Sequence, residues 1–89
     1  MTTHNLKCWI GPFQALLDEV KTFEWRLNDR DYEVGDILNL MEWNPEANNG
    51  EGNFTNRELK RLVTYMLRGG QFGVPKKYVC MAVRPLPKE

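Results

Sequence analysis

The chain has 89 residues, of which 42% are hydrophobic, and its 12 basic and 12 acidic residues give a formal net charge of zero. This length predicts one domain spanning residues 1–89, with three Trp, four Phe and three Tyr to build one small core. The balanced charge excludes a global attraction to nucleic acid, and the lack of a membrane-length apolar run or signal-peptide core predicts a cytosolic protein without membrane contact.

A short strand and a helix are predicted first. Alternation with a period of two places Lys7 on the same face of this strand as Asn5 and Trp9. Proline suits the first turn of a helix, and Pro12 opens a run in which apolar residues recur at helical spacing. These apolar positions are Phe13, Leu16, Leu17 and Val20. The helix is therefore expected to end near Val20.

The next segment, residues 21–27, alternates strictly between apolar and polar side chains. The apolar face, which we predict to be buried in the core, comprises Phe23, Trp25 and Leu27. The polar face comprises Thr22, Glu24 and Arg26. Asn28 and Asp29 then favour a turn, and the neighbouring Arg30 is well suited to contact phosphate. The strand should therefore present a core on one side and chemistry on the other.

Residue types predict the structure of three further segments. Residues 37–43 are apolar enough for a strand buried on both faces, and we predict that it pairs with the preceding strand in a hairpin. Residues 44–53 are rich in Asn and Gly and are typical of an exposed loop. Residues 78–83 predict a last strand.

Residues 55–68 support two interpretations. Thr55 and Glu58 fit a capping box, and the apolar residues that follow fall at helical spacing, which predicts a helix. However, a period of two also nearly fits the positions Leu59, Val63, Tyr65 and Leu67. The pattern alone leaves both structures open.

Residues 19–26 resemble the signature of the ASCH domain family, a PUA-like group associated with RNA. That signature usually reads Gly-x-Lys-x-x-Glu-x-Arg; Lys21, Glu24 and Arg26 match it, whereas Glu19 stands in place of the glycine. Matches to a little-characterised subfamily often found in bacteria and their phages include His4, Leu6, Lys7, Asn28, Asp29, Arg30, Gly35, Asp36, Trp43, Val63, Tyr65 and Gly69. The resemblance implies a strand within residues 55–68. It also implies a mainly β (α+β) fold, a small PUA-like β-barrel with one N-terminal helix.

The resemblance further implies a site for RNA or a modified nucleoside in a cleft between the helix and residues 21–26. Lys21, Glu24 and Arg26 would recognise the ligand without a cofactor. The carboxylate would accept a hydrogen bond from the amino group of a base, and the two cations would bind phosphate. Residue types alone favour an ordinary solvated strand face, and the resemblance reverses that preference. Further candidates for nucleic-acid contact are Lys7, Arg30 and Tyr65.

Two alternatives remain open. Some small bacterial members of the ASCH superfamily are amidohydrolases that act on acetylated cytidine through a Lys and a Thr of this segment and a Glu elsewhere. Lys21 matches that Lys and would be the base or nucleophile, but Glu24, the possible proton carrier, stands where the Thr is expected, and Thr22 is two residues away. The third hypothesis is a protein-interaction module that docks on a host factor through residues 44–53 and through a basic group. The group comprises Lys60, Arg61, Arg68, Lys76 and Lys77.

Aromatic and sulfur-containing residues complete the predictions. Alternation assigns Trp25 to the core, whereas Trp43 and Tyr65 are better candidates for exposed stacking platforms. One His and two scattered Cys do not form a zinc site, so no metal is expected. Cys8 and Cys80 are predicted to be reduced core thiols, a disulfide between neighbouring terminal strands being the alternative.

Overall fold

The computed structural model describes residues 1–87, which form five strands and one helix. In chain order these are β1 (Thr3–Trp9), α1 (Ile10–Leu17), β2 (Phe23–Leu27), β3 (Ile37–Asn44), β4 (Asn53–Arg68) and β5 (Tyr78–Pro85). The strands form one sheet in the order β1-β3-β4-β5-β2, and this sheet curls into a half-barrel. The predicted fold class, a small barrel-like and mainly β domain with one N-terminal helix, is confirmed.

The pairing of the strands leaves β1 and β2 as the two edges of the sheet. β1 runs parallel to β3, while β3 with β4, β4 with β5, and β5 with β2 pair antiparallel. The predicted hairpin between β2 and β3 is therefore wrong. Alternation defines the two faces of a strand but not its partner. Just after β2, the Asn28 N–H donates to the carbonyl of Lys77 at 2.8 Å, which holds this segment beside the start of β5.

β4 is one strand of 16 residues, so the strand interpretation of residues 55–68 is confirmed. Its register shifts between Val63 and Tyr65, which marks a β-bulge. The bulge moves the inward-facing side chains from odd to even positions. These inward-facing residues are Leu59, Arg61, Val63 and Met66. A bulged strand therefore produces the spacing that resembles a helix.

The core lies on the inner face of the half-barrel, where α1 packs with Phe13 and Leu16 buried. The helix ends at Leu17 rather than near Val20, because Glu19 adopts a left-handed backbone conformation with φ of 59°. Arg61 is buried beside this end, and its Nη2 donates to the carbonyl of Leu16 at 2.9 Å. A guanidinium there satisfies an end carbonyl and complements the negative end of the helix dipole.

β2 has its two faces reversed relative to the prediction. Phe23, Trp25 and Leu27 are about half exposed, whereas Glu24 is only 4% exposed and points to the inner side with Arg26. The alternation itself is correct, but the assignment of Trp25 to the core is wrong. Because β2 is an edge strand at the opening of the half-barrel, its inner side meets polar groups that can pair with Glu24.

Both cysteines are free thiols. Cys8 is buried, as predicted, and Cys80 is partly buried. They lie in β1 and β5, which are not neighbours in the sheet, so the alternative of a disulfide between adjacent terminal strands is not realised. Within residues 1–87, no helix combines the length and apolar character needed to cross a membrane.

Replacing Gly69 with alanine is expected to lower the free energy of unfolding by about 1–3 kcal/mol. A Cβ at this position would collide with the backbone carbonyls of Pro75 and Lys76, which cannot move as a flexible side chain would. Urea unfolding followed by circular dichroism measures the change. The matched control is Gly11→Ala in α1, where nothing lies within 4 Å of the added methyl group and the change should stay within about 1 kcal/mol. Equal stability of the two variants would contradict this close approach of the chain.

Candidate functional site

A cleft of about 550 Å³ opens between the edge strands β1 and β2, where the half-barrel does not close. The C-terminal half of β1 forms one wall, β2 forms the other, and Pro12 of α1 and the turn after β2 complete it. Five of the six predicted contact residues line this cleft: Lys7, Lys21, Glu24, Arg26 and Arg30. The sixth, Tyr65, lies outside it as an exposed side chain of β4.

The polar centre of the cleft is the carboxylate of Glu24. Lys21 Nζ donates to Glu24 Oε2 at 3.1 Å, whereas Arg26 Nη2 is 3.8 Å from Oε1, beyond hydrogen-bonding distance. Within residues 1–87, Glu24 Oε1 and Arg26 Nε are both buried and have no hydrogen-bond partner. Leaving a buried polar atom unpaired costs about 1–3 kcal/mol. The cleft therefore contains one unsatisfied acceptor and one unsatisfied donor on the same strand.

Arg26 also connects the two edge strands across the opening. Its Nη2 donates to the backbone carbonyl of Lys7 at 2.8 Å, so it uses a carbonyl of β1 that has no strand beside it. The bond holds the guanidinium inside the cleft, and its Nε is left free of protein partners within residues 1–87.

Aromatic side chains form part of the cleft lining. Trp9, Trp25 and Tyr78 are exposed there, and the rings of Trp25 and Tyr78 lie 6.1 Å apart with an angle of 30° between their planes. Tyr32 is buried, and its ring meets the ring of His4 edge-on. Burial raises the pKa of Tyr32, so its hydroxyl remains protonated at neutral pH. The lining thus combines stacking surfaces with hydrogen-bonding groups.

The turn after β2 positions Arg30 at the cleft. Asn28 Oδ1 accepts a hydrogen bond from the N–H of Tyr32 at 3.3 Å, and the N–H of Asp29 donates to the carbonyl of Leu27 at 3.0 Å. The side chain of Asn28 therefore holds the turn, as predicted from its type, whereas Asp29 contributes through its backbone N–H. Arg30 is exposed and lines the cleft beside them.

Lys7 and Trp43 interact on the outer side of β1 and β3. The ammonium of Lys7 lies 4.0 Å from the centroid of the Trp43 ring, which also packs edge-on against Phe54 at 4.9 Å. Trp43 is thus partly buried and outside the cleft lining, whereas Tyr65 is 62% exposed. Trp43 and Tyr65 were both predicted to be exposed stacking platforms. Tyr65 has an open ring, whereas the ring of Trp43 is covered by Lys7 and Phe54.

Cys8 lines the cleft close to Glu24. Burial, reinforced by the negative charge of Glu24, raises the pKa of Cys8 to about 11. The sulfur is therefore a neutral thiol at physiological pH, and only a thiolate is an effective nucleophile. Cys8 contributes a small apolar wall to the cleft.

A second carboxylate, Glu42, makes an instructive contrast because its partners are complete. Arg57 donates from Nε to Oε1 at 2.9 Å and from Nη2 to Oε2 at 2.8 Å, and Thr55 Oγ1 donates to Oε1 at 2.6 Å. These hydrogen bonds from Arg57 and Thr55 lower the pKa of Glu42 to about 2. A buried carboxylate satisfied in this way holds β3 and β4 together, whereas Glu24 keeps an oxygen free.

Sequence reasoning missed Trp9, Tyr32 and Tyr78 as cleft residues. Trp9 could have been predicted, because alternation already placed it on the same face of the strand as the candidate Lys7. Tyr78 could not have been predicted, since its position beside the cleft depends on the pairing of β5 with β2. Tyr32 lies beyond the turn, where no periodicity applies.

The fold and the cleft define a class of protein: a half-barrel β domain with a polar, aromatic-lined cleft between its two edge strands. The chain belongs to the family described as a domain of unknown function (DUF3850), whose model matches residues 3–83. The matched range includes every residue of the cleft named above. A search of curated proteins found no match to this sequence.

Proposed function

We propose that this chain is an ASCH-type, PUA-like domain that binds RNA or a modified nucleoside in the cleft between β1 and β2. The observation that supports this most directly is the pair of buried atoms without partners, Glu24 Oε1 and Arg26 Nε. Nearly all buried polar atoms in native proteins are hydrogen-bonded, so a bound group that supplies both partners is a physical explanation for the pair. As part of this proposal, the protein acts in the cytoplasm of bacteria or of cells infected by their phages.

The chemistry of a nucleobase fits these two atoms. Base edges present N–H donors beside ring-nitrogen or carbonyl acceptors, and the edges of unpaired bases are open to such contacts. An N–H of the base would donate to Glu24 Oε1, and the adjacent acceptor would receive a hydrogen bond from Arg26 Nε. The cleft volume of about 550 Å³ lies in the range of small-molecule sites. Trp9 and Trp25, which also line the cleft, supply ring faces for bases that flank the bound one.

The charges around the cleft predict a modest dependence on salt. Arg30 is an exposed cation of the lining and would meet phosphate directly, and the exposed Lys7 would do so by leaving the ring of Trp43. Two phosphate contacts on a single strand give a slope of about −1.4 in a plot of log affinity against log salt concentration. A nucleoside, which has no phosphate, should bind with little dependence on salt.

An NMR titration of the isotope-labelled protein with short single-stranded RNAs and modified nucleosides, at two salt concentrations, tests the proposal. We expect saturable amide shifts at Lys21, Glu24, Arg26 and Arg30, with the RNA shifts weakened at the higher salt concentration. Absence of shifts at low salt, or shifts confined to surfaces away from the cleft, would contradict nucleic-acid binding here.

Hydrolysis of an acylated nucleoside is the second candidate function. The 3.1 Å hydrogen bond from Lys21 to Glu24 favours it, because general acid–base catalysis uses side chains of these types held next to each other in one cleft. Thr22 lies outside the cleft lining and Cys8 is a neutral thiol, so neither supplies an activated nucleophile. Incubation with an acetylated cytidine decides between the functions. Product that forms with the natural protein and not with Lys21→Met would establish the enzyme.

A further inference from the structure

The outer face of the sheet carries an uninterrupted set of uncharged side chains across β2, β5 and β4. The strand register aligns them in two rows, Phe23 with Ala82 and Tyr65, and Trp25 with Cys80 and Leu67. The aromatic members of these rows, together with Tyr78 opposite Leu27, form what we call the aromatic face: Phe23, Trp25, Tyr65 and Tyr78. All four are exposed, by 37% to 62%.

The exposure of these rings is unusual for so small a domain. A chain of this length needs most of its apolar residues for the core, and the inner face of the half-barrel is filled by other side chains. A contiguous exposed apolar surface generally marks an interaction site. The aromatic face is therefore a candidate interaction surface.

Three observations favour single-stranded nucleic acid as that partner. Unpaired bases stack on exposed aromatic rings, and an open sheet that presents such rings can bind two or three successive bases. Trp25 and Tyr78 belong both to the aromatic face and to the cleft lining, so the two surfaces are continuous. Exposed cations border the face at both ends of β5, with Lys77 before Tyr78 and Arg84 beyond Ala82.

We propose that single-stranded nucleic acid leaves the cleft over Trp25 and Tyr78 and crosses the aromatic face toward Tyr65, with successive bases stacked on the rings. The distance from β2 across β5 to β4 is about 10 Å, two strand spacings. This inference rests on the proposed function and extends it. One base occupies the cleft, and its neighbours occupy the aromatic face.

The test compares a hexaribonucleotide with a mononucleotide in binding to the natural protein, Tyr65→Ser and Glu24→Gln. Tyr65 is chosen because it belongs to the face but not to the cleft. We expect Tyr65→Ser to weaken hexanucleotide binding by about 5- to 100-fold and to leave mononucleotide binding unchanged. Glu24→Gln should weaken both. Phe72→Ser, which removes another highly exposed ring outside the sheet, is the matched control and should bind both ligands normally.

Three results would overturn the inference. Hexanucleotide binding that Tyr65→Ser leaves intact, with mononucleotide binding still lost in Glu24→Gln, would reject the path and retain the cleft. Self-association of the natural protein in sedimentation, abolished by Tyr65→Ser without any change in RNA affinity, would assign the face to a second copy of the chain. Failure of the natural protein to bind either ligand would reject both the path and the proposed function. Thermal unfolding of each variant verifies that it is folded.

Discussion

Glu24→Gln is expected to weaken nucleoside binding by about 10- to 100-fold, because it removes a charge-assisted hydrogen bond at the centre of the cleft. The amide carbonyl can retain the hydrogen bond from Lys21, which is 3.1 Å long in the natural protein. The amide nitrogen then takes the position of Oε1, where it cannot accept a hydrogen bond from a base. The variant breaks the buried ion pair with Lys21, but it also removes a buried carboxylate oxygen that has no partner within residues 1–87. The free energy of unfolding should therefore fall by only about 1–2 kcal/mol. Isothermal calorimetry and urea unfolding measure the two quantities separately.

Glu33→Gln is the matched control for this prediction. Glu33 is an exposed carboxylate that pairs with Arg68 at 3.0 Å and lies outside the cleft, so its replacement changes the net charge equally. We expect its affinity to stay within about twofold of the natural protein, since exposed ion pairs contribute little. If both variants lost affinity equally, net charge rather than the cleft would explain binding.

Glu42→Gln is expected to produce the largest loss of stability, about 2–3 kcal/mol in the free energy of unfolding. Removal of one member of a buried ion pair costs about 3–5 kcal/mol, and the half-exposed Arg57 reduces that cost by retaining contact with water. An amide cannot accept both hydrogen bonds from Arg57 together with the one from Thr55. Glu46→Gln, an exposed carboxylate in the loop after β3, is the control and should change stability by less than about 0.5 kcal/mol. Urea unfolding at neutral pH measures both, and equal stability of the two variants would show that the pair is not structural.

The same pair predicts how stability depends on pH. The pKa of Glu42 is about 2 in the folded protein, below its ordinary value of 4.5. Its stabilising contribution is therefore complete above about pH 4.5 and is lost as the pH falls towards 2, because the unfolded chain takes up its proton first. Asp36 adds to this loss of stability. Burial raises the pKa of Asp36, but its hydrogen bonds with His4 and with the N–H groups of Glu33 and Thr2 outweigh burial, so the net pKa is lowered.

Urea unfolding at pH 7, 4 and 2.5 measures this dependence. The natural protein should lose more stability than Glu42→Gln over this interval, and Asp36 contributes to the slope that remains in the variant. Parallel pH profiles for the two proteins would show that Glu42 has an ordinary pKa.

The sequence predicted β2 as a strand but not which of its faces is buried. Strict alternation defines two faces, and the usual assumption buries the apolar one. Trp25 contradicts that assumption because β2 lies at the edge of an incomplete barrel, where the inner side is polar and Glu24 is buried with Lys21 beside it. Edge position is a property of the whole sheet. It follows from the pairing of β2 with β5, which no local pattern specifies.

β4 shows a different limit of sequence patterns. Its bulge between Val63 and Tyr65 breaks the period of two and produces spacing typical of a helix. Thr55 also fitted a helix cap, but its hydroxyl instead donates to Glu42. Periodicity alone left both structures open for residues 55–68, because a bulged strand and a helix can share this spacing.

The candidate site could be predicted largely from the motif. Glu24 and Arg26 lie on one face of β2, so their proximity needs only local structure. Lys21 precedes the strand, and its contact with Glu24 depends on how the chain enters β2. The contribution of Lys7 depends on the approach of β1 to β2 across the opening, which Arg26 bridges through the Lys7 carbonyl. The unsatisfied state of Glu24 Oε1 and Arg26 Nε could not be predicted from residue types, because it depends on the contacts made by every neighbouring atom.

The measurement that tests the central claim most directly is the NMR signal of the Arg26 Nε–H group during titration with a saturating nucleoside. Arg57 provides an internal reference, because its Nε already donates to Glu42 at 2.9 Å. We predict that the Arg26 signal moves downfield as a new hydrogen bond forms and that the Arg57 signal stays in place. Saturable binding with no change at Arg26 Nε would contradict the claim that the unpartnered atoms of this cleft hold the ligand.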